Sequence, residues 1–277
     1  MNPLQQFIQT HPRLTILTGA GVSTQSGIPD YRDADGAWKR AQPVQFKAFM
    51  DSEFVRQRYW ARSLRGWPHF SSAQPNGAHR ALASLETQGR IDLLVTQNVD
   101  GLHGQAGSQR VVDLHGRLDT VRCMSCNHNP ARSEFQTELA RRNPDWIALD
   151  ASVAPDGDAD MEGRDFAAFD LPSCPVCGGI LKPDVVFFGE SVPGERVEAA
   201  MASVERSDAL LIIGSSLMVY SGYRFAAAAS LAGKPIAAVN LGRTRADDLL
   251  ALKVQERCAD ALAFLLDHPR RTAASSP

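Results

Sequence analysis

Nowhere in its 277 residues does the chain carry an apolar run approaching the roughly 18 residues of a membrane span, so no transmembrane helix is expected. The opening stretch MNPLQQFIQTHPRL lacks both the apolar centre of a secretory leader and the arginine-rich character of a transit peptide. A cytoplasmic location is therefore expected. Neither sign of charge is in excess: the formal net charge is -2 and the isoelectric point lies near 6.4. Without an overall basic field, neither nucleic acid nor an anionic membrane is expected as a direct partner. Cysteine is scarce and odd in number, at five. Five thiols make a poor disulfide framework, whereas two Cys-x-x-Cys pairs with one cysteine left over suit metal binding in a reducing compartment.

What the chain does have is apolar residue in quantity, 44% of the total, enough to bury one large domain and a smaller module. The apolar stretch RLTIL runs straight into Gly19-Ala20-Gly21 and a polar turn, the pattern of a strand feeding a phosphate-holding glycine turn. The third glycine of the usual dinucleotide fingerprint is missing, since Thr24 stands there. On pattern alone a tight strand-to-helix turn explains the glycines equally well. The following Ser26 to Arg32 packs a breaker pair, an aromatic and both charge signs into seven residues, which suits a ligand-covering loop.

Further along, Leu4, Phe7 and Ile8 have helical spacing up to His11-Pro12, residues 38–67 read as helical in pieces, and Asn76 caps a helix that ends near Gly89. Short apolar runs recur at LTIL, IDLLV, VVDL, VVFF, ALLII and PIAAV, separated in the C-terminal half by helical stretches. Six such runs predict an α/β fold, a Rossmann-like, doubly wound and mainly parallel sheet covered on both faces. The expected division is a nucleotide-binding domain from residues 1–116 and 183–277, with a helical insert and loop at 33–75 and a metal-held module at 117–182. The tail at 270–277 reads as disordered.

Within that module, Cys123-x-x-Cys126 and Cys174-x-x-Cys177 offer four thiolates suited to a closed, structural zinc site, with Gly178-Gly179 easing the second turn. Redox or free cysteine pairs are the alternative. His128 is a candidate stray ligand or a solvated residue, and the acidic run at 154–165 between the pairs reads as a surface loop.

Polar clusters follow four of the apolar runs: Thr96 to His103, His115-Gly116, Gly214-Ser215-Ser216 and Asn240-Leu241-Gly242. In an open parallel sheet these stand along the edge where ligands bind. Serine hydroxyls and turn amides suit phosphate, and Asn240 suits a ribose hydroxyl. No acidic ribose partner stands at the expected distance past the first turn.

TGAGVSTQSGIPDYR, TQNVDGLH, LHG, the paired Cys-x-x-Cys motifs, KPDVVFFGE and GSSLMV occur in the order found in sirtuins, and the chain resembles that family over nearly its whole length. RYWARSLRGWPHFSS, the long gap between cysteine pairs and LGRTRADDLLALK resemble its class II branch. The resemblance implies an NAD-dependent protein-lysine deacylase holding one structural zinc. Gly19, Ala20 and Gly21 would line the pyrophosphate, Asp30 and Arg32 the cofactor loop, and Gln97 the ribose. Asn98, Val99 and Asp100 would hold the carboxamide of nicotinamide, with Gly214, Ser215, Ser216, Asn240, Leu241, Gly242 and Cys258 on the adenosine side. Cys258 also reads as a plain core cysteine.

The implied catalytic residues are Asn98, Asp100 and His115, the last as general base toward a ribose hydroxyl. His103 reads as a loop brace. The acyl oxygen would attack the nicotinamide ribose, nicotinamide would leave, and free lysine and O-acyl-ADP-ribose would result. Val186, Phe187, Phe188 and Gly189 would pair with an extended acyl-lysine peptide and line an apolar slot. Tyr59 and Arg62, at i and i+3 on one helix, resemble a pair that grips acidic acyl groups. Longer or carboxylated acyl-lysines, including lipoyl, are expected above acetyl-lysine. The alternatives are a mono-ADP-ribosyltransferase using the same NAD site, a hydride-transferring dehydrogenase and a non-catalytic NAD-sensing zinc adaptor. The oligomeric state is not legible.

Overall fold

The computed structural model describes residues 2–39, 43–147, 152–153, 159–160 and 165–266. Most of the acidic run at 154–165 and the tail at 270–277, read above as surface loop and disorder, lie outside the described residues. The first half holds α1 (Pro3–Thr10), β1 (Leu14–Thr18), α2 (Phe46–Asp51), α3 (Glu53–Ser71), α4 (Gly77–Thr87) and β2 (Ile91–Thr96). After α5 (Leu102–Gln105) and β3 (Val111–Asp113) come β4 (Gly116–Cys123), α6 (Arg132–Arg142), α7 (Pro144–Ile147), and the short strands β5 (Ser152–Val153) and β6 (Ala159–Asp160). β7 (Leu181–Val185), α8 (Gly194–Arg206), β8 (Ala209–Ile213), α9 (Tyr220–Leu231), β9 (Ile236–Val239), β10 (Leu252–Val254) and α10 (Cys258–Ala261) complete the chain. Among the described residues, no helix is long and apolar enough to cross a membrane.

Six strands form the main sheet in the order β10-β9-β8-β1-β2-β3, and every neighbouring pair is parallel. β1 and β8 are buried at every position, as strands covered on both faces must be; β8 reads as an unbroken apolar run, and the Thr15 hydroxyl that interrupts β1 is met by Ser203 Oγ at 2.7 Å. Successive residues serve opposite faces. Ile16, Leu211 and Ile213 pack with α1, α4 and α10, while Leu17, Leu210 and Ile212 pack with α8 and α9. Asn76 sets the start of α4: its side chain accepts from the Ala78 amide at 2.8 Å, and its own amide donates to His79 Nδ1 at 3.3 Å.

Two expectations about the sheet need correction. VVFF does not enter it: β7 stops at Val185 and pairs antiparallel with β4 in a separate ribbon. The sixth strand is instead β10, three half-buried residues at the edge, too short to show a period. Phe187 is buried elsewhere, in a second hydrophobic core that α2 and α3 share with β4, α6 and β7. The helical insert and the cysteine module thus have a common interior. Trp60 Nε1 donates to Leu181 O at 3.1 Å inside it, and the buried Arg132 guanidinium stands over both Trp60 and Trp67.

Candidate active site

From β1 the sheet grows outward to β2 and β3 on one side, and from β8 to β9 and β10 on the other, so a crevice opens where these two strands end. A cavity of about 570 Å³ lies there. Gly19, Ala20 and Gly21 after β1, Gln97, Asn98, Val99 and Asp100 after β2, and His115 after β3 are on its wall. So are Asp30 and Arg32 of the loop, Gly214, Ser215 and Ser216 after β8, Asn240, Leu241 and Gly242 after β9, and Cys258 opening α10. Tyr59, Val186, Phe187, Phe188 and Gly189 line it as well. Arg62 does not: it is half-buried on α3 and is not part of this wall.

The glycine turn also joins two strands. The amides of Gly19 and Gly21 donate to Ile213 O at 3.1 Å and Gly214 O at 2.8 Å, tying the end of β1 to the end of β8 rather than facing the cavity. A Cβ on Gly19 would meet Ser215 Cβ at 2.7 Å, and one on Gly21 would meet Gly214 Cα at 2.9 Å. Glycine is needed here because two turns touch. The loop from Asp30 to Lys39 is braced within itself: Arg32 lies 3.9 Å from the Trp38 ring, and Lys39 pairs with Asp30. It docks on the turn after β9, where the Arg243 amide donates to Ala34 O at 2.8 Å.

A hydrogen-bond relay runs through Ser23, a residue with no assigned role above. Asn98 Nδ2 donates to Ser23 Oγ at 3.0 Å, and Ser23 Oγ donates to Asp100 Oδ2 at 2.7 Å. Asn98 also donates to Gly19 O at 3.2 Å, so the β1 and β2 loops are locked together. Beneath them His103 Nε2 meets Thr18 Oγ1 at 2.9 Å and its ring lies 4.8 Å from that of His79. Both imidazoles are pushed down by burial, His79 to about 4. Cys258 is a core thiol, pushed up to about 12 by burial, with Sγ 3.6 Å from Gly21 O.

His115 is held from both sides. Its Nδ1 lies 2.9 Å from Gln97 O, and since a carbonyl only accepts, Nδ1 carries the proton. Its Nε2 lies 2.8 Å from Ser221 Oγ, whose hydroxyl donates to it. Burial pushes the imidazole down to about 4, so at neutral pH it is uncharged and able to take a proton. Gln97 is itself oriented by Ser215 Oγ, which donates to its Oε1 at 2.6 Å.

The segment after β7 is pinned by His115 O, which accepts from the Val186 amide at 2.8 Å, and by the Phe46 amide, which donates to Phe188 O at 2.8 Å. Lys182 is buried and reaches Glu190 Oε2 at 3.1 Å, while the Phe187 amide donates to the same oxygen at 2.8 Å.

Away from the cavity, the four thiols of Cys123, Cys126, Cys174 and Cys177 lie within 4.8 Å of one another. Cys123 Sγ is 3.5 Å from Cys177 Sγ, and Cys126 Sγ is 3.8 Å from Cys174 Sγ. Tetrahedral zinc with sulfur at ~2.3 Å sets its ligands about 3.8 Å apart, so the cluster is a zinc-binding site with every position filled by sulfur. Amides of Cys126 and Ser125 pull the Cys123 thiol down to about 6, toward the thiolate that zinc requires. Left-handed Asn127 and Gly178 close the two knuckles, and His128 is not in the cluster.

Residues 19–221 match the family model described as "Sir2 family". The chain is 63% identical over 266 residues to "NAD-dependent protein deacetylase" of Xanthomonas campestris pv. campestris (strain 8004), covering 96% of this chain and 91% of that one. It is 48% identical over 265 residues to "NAD-dependent protein lipoamidase sirtuin-4, mitochondrial" of Bos taurus, covering 95% and 84%. Among solved structures, "Sir2-p53 peptide-NAD+" superposes with a TM-score of 0.77 at 27% identity, over 96% of this chain and 97% of that one.

Proposed function

The chain belongs to the Sir2 family and is an NAD-dependent protein deacylase, and from that premise we propose how its residues divide the work. The observation that carries the reading is the convergence, on one cavity, of a neutral His115 with the Asn98–Ser23–Asp100 relay and the segment from Val186 to Gly189. NAD is the co-substrate. Its adenosine side lies along Gly214 to Ser216, Asn240 to Gly242 and Cys258, and its nicotinamide end at Asn98, Val99 and Asp100. The lining fits such a ligand: hydroxyls and turn backbone stand at the strand ends, and a carboxamide meets a side-chain amide and a carboxylate.

An acyl-lysine peptide lies along residues 186–189. Phe188 already bridges in parallel to Gln45, but the amide of Gly189 donates to no described group, which leaves it for an extended partner strand. His115 accepts the proton of a ribose hydroxyl at Nε2, the only ring nitrogen with a lone pair to offer. Asn98 and Asp100 fix the loop geometry, and exclusion of water by the loop from Asp30 to Lys39 protects a reaction in which an amide oxygen, a poor nucleophile, must attack.

Longer acyl groups, lipoyl among them, rank above acetyl in this reading, supported by the bovine lipoamidase relative and by an apolar wall of Tyr59, Val186 and Phe187. A division into residues 1–116 with 183–277, an insert at 33–75 and a zinc module at 117–182 belongs to the same reading, as does a cytoplasmic location suited to free thiols. The test is a panel of acetyl, succinyl, glutaryl and lipoyl peptides with NAD, followed as nicotinamide release. Release above the peptide-free rate, highest with lipoyl or glutaryl peptide, is expected. Label passing from adenine-labelled NAD to protein, without acyl loss, would instead mean ADP-ribosyl transfer.

A further inference from the structure

Ser221 sits in the first turn of α9 and lines the same cavity as His115, with its Oγ 2.8 Å from the ring nitrogen that has to act. No other hydroxyl among the described residues reaches that atom. The two residues are 106 positions apart in sequence, and α9 fixes one against the other because Gly222 lets the helix start press on Gln97, the residue that holds the opposite side of the ring. A Cβ at Gly222 would meet Gln97 Cδ at 2.7 Å.

We propose that Ser221 is a positioning residue for the base step, holding His115 in its Nδ1–H tautomer while the site waits and supporting the imidazolium once it forms. The inference rests on the deacylase reading of the cavity. A hydroxyl suits both states. In the resting enzyme its hydrogen points at the Nε2 lone pair; when the ribose hydroxyl proton moves to Nε2, the hydroxyl rotates and its oxygen accepts the new N–H. The second bond is charge-assisted and stronger than the first, so the pair favours proton uptake. This counters the surroundings. Burial and the guanidiniums of Arg196 on α8 and Arg224 on α9 all disfavour charge on the ring. Asp100 and Glu190, the other charged groups of the wall near the reacting end, are unchanged by a substitution at Ser221.

The test is Ser221→Ala, assayed with NAD and the best acyl peptide over pH 3 to 8, so that a limb near 4 and its downward shift both fall inside the range, together with exchange of labelled nicotinamide into NAD, which precedes the base step. Loss of the hydroxyl should move the acid limb of kcat down by about half a unit to one unit and lower the plateau by roughly three- to tenfold. Exchange should stay within about twofold of the unsubstituted enzyme, and Ser221→Thr should restore the limb. An unmoved acid limb, or exchange falling by the same factor as turnover, would overturn the proposal while leaving the deacylase reading intact. No nicotinamide release by the unsubstituted enzyme with any acyl peptide would remove that reading and the inference with it.

Discussion

Lys182 and Glu190 meet at 3.1 Å beneath the segment from Val186 to Gly189, with the lysine almost wholly buried and the carboxylate also holding the Phe187 amide. The pair, eight positions apart, closes this stretch on itself, and residues 186–189 within it are where the peptide is proposed to lie. Burial lowers the lysine's affinity for its proton, and Glu190 works against that loss. Lys182→Met leaves a partly buried carboxylate with the Phe187 amide but no counter-charge, and we expect a cost of roughly 2–4 kcal/mol, below that of a fully buried pair because Glu190 keeps some exposure. The KM for peptide should rise while the KM for NAD holds. Equal changes in both constants would show that the pair serves the fold alone.

His115→Ala should retain NAD binding, measured by calorimetry, and lose about 10²- to 10⁴-fold in deacylation, the ordinary worth of a positioned base. Nicotinamide exchange should survive. Asn98→Ala differs: it removes donors to Gly19 O and Ser23 Oγ, so exchange and deacylation should fall together.

Zinc removal should be felt in the cavity. Stripping the metal with a chelator frees four thiols whose β4 and β7 ribbon shares its interior with Tyr59 and Phe187. Chelation should lower the melting temperature and abolish peptide turnover, while one zinc per chain is recovered in the released metal. Full activity in zinc-free protein would contradict this.

Acid should destabilise the fold before carboxylates titrate. His79 and His115 are pushed to about 4 and His103 lies well below its ordinary value, all by burial. Above about pH 6.5 folded and unfolded chains both hold these rings neutral. As pH falls from there toward 4, the unfolded chain takes up protons that the folded one refuses, so stability falls by up to about 1.4 kcal/mol per pH unit for each ring. Urea midpoints at pH 7.5 and 5 check the sign. A His79→Gln variant should show a shallower decline.

Arg62 is absent from the cavity lining, so Arg62→Met should change kcat/KM for acetyl, succinyl and glutaryl peptides by one common factor. A selective loss of roughly tenfold or more on the carboxylated peptides, the size of a missing charge-assisted bond, would put Arg62 at the acyl group after all.

Local features were readable from the sequence because their chemistry is local. A glycine turn after a largely apolar strand, paired Cys-x-x-Cys motifs and polar residues at strand ends each announce themselves within a few positions. VVFF was misplaced because burial in a second core and burial in a sheet leave the same apolar signature. β10 was missed because three edge residues carry no period. The amide work of Gly19 and Gly21, the Asn98–Ser23–Asp100 relay and the Ser221–His115 contact all join residues brought together only by the topology. Motif order pointed to His115; it held no information on what caps the ring.

The position of β1 also bears on how the protein is made. This strand leaves the ribosome long before one of its two neighbours, β8, whose Ala209 pairs with Leu14. Until residue 213 has emerged, β1 presents an apolar, unpaired edge that only β2 can half cover. Closure of the sheet, the glycine contact with Gly214 and the crevice itself are therefore late events in synthesis, and the nascent chain passes a long interval as a candidate for chaperone capture or aggregation.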